Sequence, residues 1–278
     1  MTWRDEPALL PDRDYLVGID LAQGGADWTA LCVLQRTEPR TGSPAEYDVI
    51  HLERFRDRRA PRIIVERVAA IVPQIRAMHR DRILRWRQEV LGERPAYAEG
   101  LLRVAPATIR LVVDITGSGA FATDPLQQAG FPCTGIFITG GDAVSHPSSD
   151  IYRTPKRDLA GVVAVLLSGR RLRIAESLSD AAILRAELEG FRARISLSGH
   201  DTYESAGGED WRAGSHDDLV LALAIACWVG EVEEVAQFVD PAIIAGWTDL
   251  PRALGDAARH AAGTNSVTIG RSRQEMPP

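Results

Sequence analysis

The sequence predicts an α/β protein with one mixed central sheet and helices on both faces. Two observations carry this prediction: three apolar runs open the chain as a meander of strands, and a later strand–helix–strand passage supplies a βαβ unit.

Residues 15–20 (YLVGID) and 29–34 (TALCVL) are compact apolar runs separated by the turn-forming QGGAD of residues 23–27, which fits two antiparallel strands with a short connection. Residues 47–55 alternate loosely and make a third strand. Pro61 then opens a helical stretch in which Ile64, Val68, Ile71, Ile75 and Met78 recur at helical spacing, with Pro73 expected to kink or divide it. Residues 83–106 are polar and arginine-rich, and read as an insertion with room for a short helix. A strand over 108–114, a helix near 125–129 and a strand over 134–138 form the βαβ unit. Pro155 starts a helix closed by Gly169, and residues 171–174 read as an edge strand. A helix over 180–190, a hairpin of 194–197 with 201–204, and a strongly apolar helix over 216–234 complete the pattern. Residues 1–14 are an N-terminal extension, 15–248 one domain, and 249–278 a tail without periodicity that is expected to be mobile.

Composition narrows the function classes. Of 278 residues, 45% are hydrophobic and 25% charged, the profile of an ordinary folded protein and not of a disordered or collagen-like chain. Cys32, Cys133 and Cys227 lie far apart, which fits neither a zinc site nor a disulfide framework and suits a reducing compartment. Arg4, Asp5 and Glu6 stand where a signal peptide needs an apolar run, and the longest apolar stretch, 219–229, is too short for a bilayer. No membrane role is expected. The net charge of −6 argues against bulk attraction of nucleic acid, so any DNA contact must be local. The basic residues are lopsided, because Lys156 is the only lysine.

The chemistry rests on carboxylates. Asp20 closes the first strand, Asp114 closes the fourth, and Asp217 with Asp218 opens the late apolar helix. Neighbouring strand ends bring such groups together, and a helix start can aim a third at the same place. Crowded carboxylates repel unless hard, oxygen-liganded cations such as Mg²⁺ or Mn²⁺ sit between them. Two such ions roughly 4 Å apart stabilise both the attacking and leaving oxygens in phosphodiester cleavage. Each residue alone also fits a plain structural role, since a strand-end Asp forms turns and Asp217 fits an N-cap. Their joint occurrence with Gly24, Gly25, Gly117 and Gly119, which let a phosphate chain approach closely, favours the metal reading.

Three segments, GIDLAQGGADWTALCVL, LVVDITGSGAFATDPL and SHDDLVLALAIACW, occur in that order with PKRDL and GRRLRI between the second and third. Together they resemble the nuclease domain of the large terminase subunit of tailed phages, a member of the RNase H-like superfamily, over about residues 15–230. The resemblance implies an RNase H-like fold and catalytic metal ligands at Asp20, Asp114 and the Asp217/Asp218 pair, with Asp27 an accessory acid. It implies two Mg²⁺ or Mn²⁺ ions, double-stranded DNA as substrate, action in the host cytoplasm, and work beside a packaging ATPase, a small terminase subunit and a portal. Some relatives carry Glu where this chain has Asp114, which leaves the chemistry unchanged.

The family's large subunit usually has an ATPase motor ahead of the nuclease. Lys156 follows Thr154 and Pro155 and not a glycine-rich stretch, so it belongs to no Walker A loop. With fourteen residues before the first strand, the motor is expected to be a separate chain or segment. Lys156 and Arg157, with Arg153 before them and Arg171 beyond, fit either a solvated basic face or a phosphate-contacting strip beside the acidic cleft. The run Arg54, Arg56, Arg58 and Arg59 is expected to be solvated, and the tryptophans show no stacking pattern. His216 fits packing or support of the aspartates better than proton transfer.

Two other readings compete. GIDLAQGGADWTAL also resembles the strand–turn–strand phosphate loop of actin-like and sugar-kinase-like ATPases, with ITGG at 138–141 as a nucleotide contact. That fold normally duplicates itself over a longer chain. A non-catalytic packaging component of the same fold is the other, and the presence of carboxylates at all three positions counts against it.

Overall fold

The computed structural model describes residues 13–22, 28–39, 43–56, 60–91, 107–117, 120–197 and 217–238. The expectations for residues 1–12 and 249–278, and those for Asp27, Arg58, Arg59, His216 and residues 201–204, lie outside these.

The opening meander is present. β1 (Arg13–Asp20) pairs antiparallel with β2 (Thr29–Thr37), which pairs antiparallel with β3 (Glu46–Phe55). β4 (Thr108–Asp114) then lies parallel beside β1, α2 (Ala120–Gln128) crosses over, and β5 (Cys133–Thr139) lies parallel beside β4. This is the expected βαβ unit. The sheet is completed by β6 (Ser145–Ser148), β7 (Ile151–Pro155) and β8 (Leu172–Ile174), in the order β6-β7-β5-β4-β1-β2-β3-β8. β8 is an edge strand, as the sequence predicts.

Helices cover both faces. α1 (Ala60–Leu91) and α2 pack on one, through Ile64, Val68, Ile71, Val72 and Ile75 of α1 and Ala122 and Leu126 of α2. α3 (Lys156–Ser168), α4 (Ala181–Leu197) and α5 (Asp218–Phe238) pack on the other. α5 is apolar all round and accordingly buried, with Ala222 to Val229 at or near zero exposure. It crosses β1 closely: a Cβ built on Gly18 would lie 1.9 Å from the carbonyl oxygen of Ala222. Only glycine lets the helix backbone approach this far.

Three expectations are corrected, and two strands are added. α1 is not divided at Pro73, because the proline faces solvent while Ile71, Val72 and Ile75 on either side are buried against the sheet. The helix allowed within residues 83–106 is the end of α1, which runs on through residues 83–91, and residues 92–106 lie outside the described residues. Residues 194–197 are the last turn of α4 and not a strand: extending a helix adds a hydrogen bond without loop closure. β6 and β7 were not anticipated. β6 (SHPS) is exposed throughout and carries no apolar period, as suits an edge strand with a proline.

Candidate functional site

Asp20 and Asp114 end neighbouring parallel strands. Ile19 is in register with Val113, so the two aspartates stand side by side one step further on, about 4.8 Å apart in backbone terms. Strand alternation assigns their direction. Ile19 and Val113 face α1 and α2, whereas Leu16 and Val112 face α5, and the two aspartates share that second parity. Asp20 is opposite Ala30 and Ala30 opposite Arg54, so one row across the sheet, on the α5 face, runs Asp114, Asp20, Ala30, Arg54.

α5 runs antiparallel to β1 and begins above this row. Ala222 touches the Gly18 position, and Asp218 lies one helical turn earlier on the same face, above the strand end where Asp20 sits. Asp217 is close enough for its charge to act on Asp20 as well. Its Oδ2 accepts from the Lys156 ammonium at 2.8 Å, at the start of α3.

Both buried aspartates are pushed toward the neutral form. Burial holds the Asp20 carboxyl well above the usual carboxylate range, and the charges of Asp114, Asp218 and Asp217 add to this while Lys156 offsets part of it. Burial also raises Asp114, against hydrogen bonds from Thr116 and the charge of Lys156. The Thr116 amide donates to Asp114 Oδ1 at 2.7 Å, and the Ile138 amide donates to Thr116 Oγ1 at 2.7 Å, which fixes the turn after β4. Gly117, at φ 77°, continues that turn in the left-handed region that favours glycine.

The structure adds Glu187, which the sequence reading missed. From α4 its Oε2 accepts from the Val220 amide at 3.1 Å in the first turn of α5, and its Oε1 stands 3.7 Å from Arg54. Burial first, then the charge of Asp218, push its carboxyl up to about 7, against the Val220 amide and Arg54. Glu187 therefore supplies the cap that Asp217 was free to supply, and Asp217 is left to face Lys156. No local signal marks Glu187, because the contact joins two helices distant in sequence.

The basic residues divide. Lys156, at the start of α3, is turned onto Asp217 while staying partly exposed, because the carboxylates draw the nearest cation. Arg157 pairs with Asp142 and Asp158. Arg153 is exposed and lies over the Phe137 ring. Arg171 does not belong to a phosphate strip: it grips Glu231 through two hydrogen bonds, at 2.6 and 2.9 Å, and donates to the Ala45 carbonyl. It sits beside Tyr47, which lies across from Arg36 and Asp14, so it is at the far end of the sheet, about 20 Å from Asp20. Arg54 is not solvated either, since Glu187 and the Trp28 ring take it up.

Hard oxygen donors from three elements suit Mg²⁺ or Mn²⁺ in their chemistry. Among the described residues, no group of three or more His, Cys, Asp or Glu side chains is placed to hold a metal ion. A depression of about 350 Å³, lined by Ile109, Gln127, Gly130, Thr134 and Asp150, lies at the opposite ends of β4 and β5 and gathers no such group. Among the described residues, no helix is long and apolar enough to cross a membrane. No protein-family model, curated protein or solved structure matches the chain.

Proposed function

We propose that this chain is a divalent-metal-dependent DNA endonuclease with an RNase H-like fold, the cutting component of a phage or prophage packaging terminase. One observation carries the reading: two buried aspartates stand side by side on adjacent parallel strands, and the start of a third element brings Asp217 and Asp218 to the same sheet end. The mixed sheet with helices on both faces is compatible with that fold, and the three sequence segments supply the family resemblance.

In this reading Asp20 and Asp114 would hold the ions, together with Asp218 at the start of α5. Asp218 is favoured over Asp217 because it shares the helix face that meets the sheet. Bound Mg²⁺ or Mn²⁺ would supply activation of the attacking water and neutralisation of the charge developing on the cleaved phosphodiester. The chain's own residues set the stage. Thr116 orients Asp114 through its amide, Glu187 holds the start of α5, and Lys156 keeps Asp217 neutralised at the rim. The substrate is double-stranded DNA, presented as a concatemer by a separate packaging ATPase with its small subunit and portal.

The test is nicking of supercoiled plasmid by the purified chain with Mg²⁺ or Mn²⁺. The expected result is slow, sequence-tolerant nicking, suppressed by salt and abolished in Asp114→Asn, without ATP turnover. Nicking that persists in Asp114→Asn, or ATP hydrolysis by the chain, would contradict the proposal.

A further inference from the structure

The arginine run after β3 includes a feature that a solvated basic face would not have. The Arg54 and Arg56 guanidiniums both lie against the Trp28 ring, at 4.6 and 4.3 Å from its centroid. Thr29 is in register with Phe55, so Trp28 and Arg56 continue β2 and β3 one residue past their last pair, at the same sheet end as Asp20 and Asp114. Arg54 itself is in the aspartate row, two strands from Asp20, which is about 10 Å.

The two arginines have different surroundings. Arg54 is largely covered, with its side chain 18% exposed, and stands 3.7 Å from Glu187. Arg56 is exposed, and among the described residues no carboxylate forms an ion pair with it. A guanidinium held over an aromatic face keeps N–H donors available to an anion, because the ring face accepts none of them strongly. Stacking also removes part of the rotamer freedom that an exposed arginine loses on binding.

We propose that Trp28, Arg54 and Arg56 form a phosphate-backbone contact for duplex DNA at the edge of the carboxylate site, with Arg56 as the contacting cation and Trp28 as its platform. This rests on the nuclease reading above, and takes over the role that sequence reasoning gave to Arg171. Arg54 links the platform to the site, since Glu187 holds both Arg54 and the first turn of α5. A duplex seated on Arg56 is thereby placed beside Asp20 and Asp114 without base reading, because phosphate contacts position but do not specify.

The test is fluorescence anisotropy of a labelled mixed-sequence 20-base-pair duplex with the full chain in EDTA, titrated over salt. Arg56→Gln should weaken binding at low salt about 3- to 10-fold and reduce the slope of log affinity against log salt by about one. Trp28→Ala should weaken binding similarly, and Trp28→Phe should retain most of the affinity. Calorimetric Mn²⁺ binding should be unchanged in Arg56→Gln, an exposed substitution that leaves the fold intact. If the wild-type chain binds duplex and Arg56→Gln binds it equally with the same slope, this inference is wrong and the nuclease reading stands. If the wild-type chain binds no duplex at low salt, both fail. A loss confined to single-stranded oligonucleotide would also overturn it, in favour of base stacking on Trp28.

Discussion

The two ends of α5 bury charge in opposite ways. At the far end Glu231 is matched: Arg171 holds both its oxygens, the Tyr47 hydroxyl donates to it at 2.8 Å, and Arg171 also reaches the Ala45 carbonyl. At the near end Asp20, Asp114, Asp217 and Asp218 meet with one lysine among them, and Glu187 adjoins them with Arg54. A fold that only needed stability would resemble the far end throughout, because crowded buried carboxylates are costly without counter-charge. The near end therefore carries more carboxylates than cations, which supports the proposed cation site.

The contact that holds both ends in place gives the largest expected effect. Gly18→Ala puts a methyl against the Ala222 carbonyl, so α5 must lift off the sheet. A loss of about 3 kcal/mol, at the upper part of the overpacking range, is expected in urea denaturation. A loss below about 0.5 kcal/mol would show that the helix yields easily.

Neutralising one acid at each end sharpens the comparison. Glu231→Gln should destabilise the chain by about 2 kcal/mol, since Arg171 and Tyr47 lose a charged acceptor. Asp20→Asn should do the reverse in EDTA, raising stability by about 1 kcal/mol because the variant buries no charge there and is not repelled by Asp114, Asp218 and Asp217. Opposite signs are the prediction. Equal losses in thermal melts of the two variants would remove the distinction between the ends.

Glu187 gives a pH dependence of similar size. Its carboxyl titrates near 7 in the fold against an ordinary 4.5, so the folded state binds the extra proton between those values. The stabilisation from this shift is complete below about 4.5 and is lost as pH rises through about 7. The metal-free chain should therefore become less stable from pH 5 to pH 7.5, by about 2 kcal/mol from this group. Glu187→Gln should flatten that slope in parallel denaturation curves, and an unchanged slope would assign the effect to other groups.

Much of this arrangement was legible in the sequence, for identifiable reasons. The strands around Asp20 and Asp114 are short apolar runs ended by a polar residue, so boundary and candidate ligand were read together. The apolar stretch after Asp218 predicted a buried helix because no polar face interrupts it. Long-range partnerships were not legible. Glu187 looks like any surface glutamate of a helix, and only tertiary packing brings it to Val220 and Arg54. Lys156 and Arg171 were alike as sequence; the fold sends one to Asp217 and the other to Glu231. Trp28 was passed over because its arginine partners lie on the next strand, where no spacing rule reaches them.

The claim that the near end of α5 is built for a divalent cation is tested most directly by calorimetric titration of Mn²⁺ into the metal-free chain and into Asp114→Asn. The account predicts saturable binding to the wild-type chain, with a rise in melting temperature, and loss of both in the variant. Equal binding by the two proteins, or no binding by either, would contradict it.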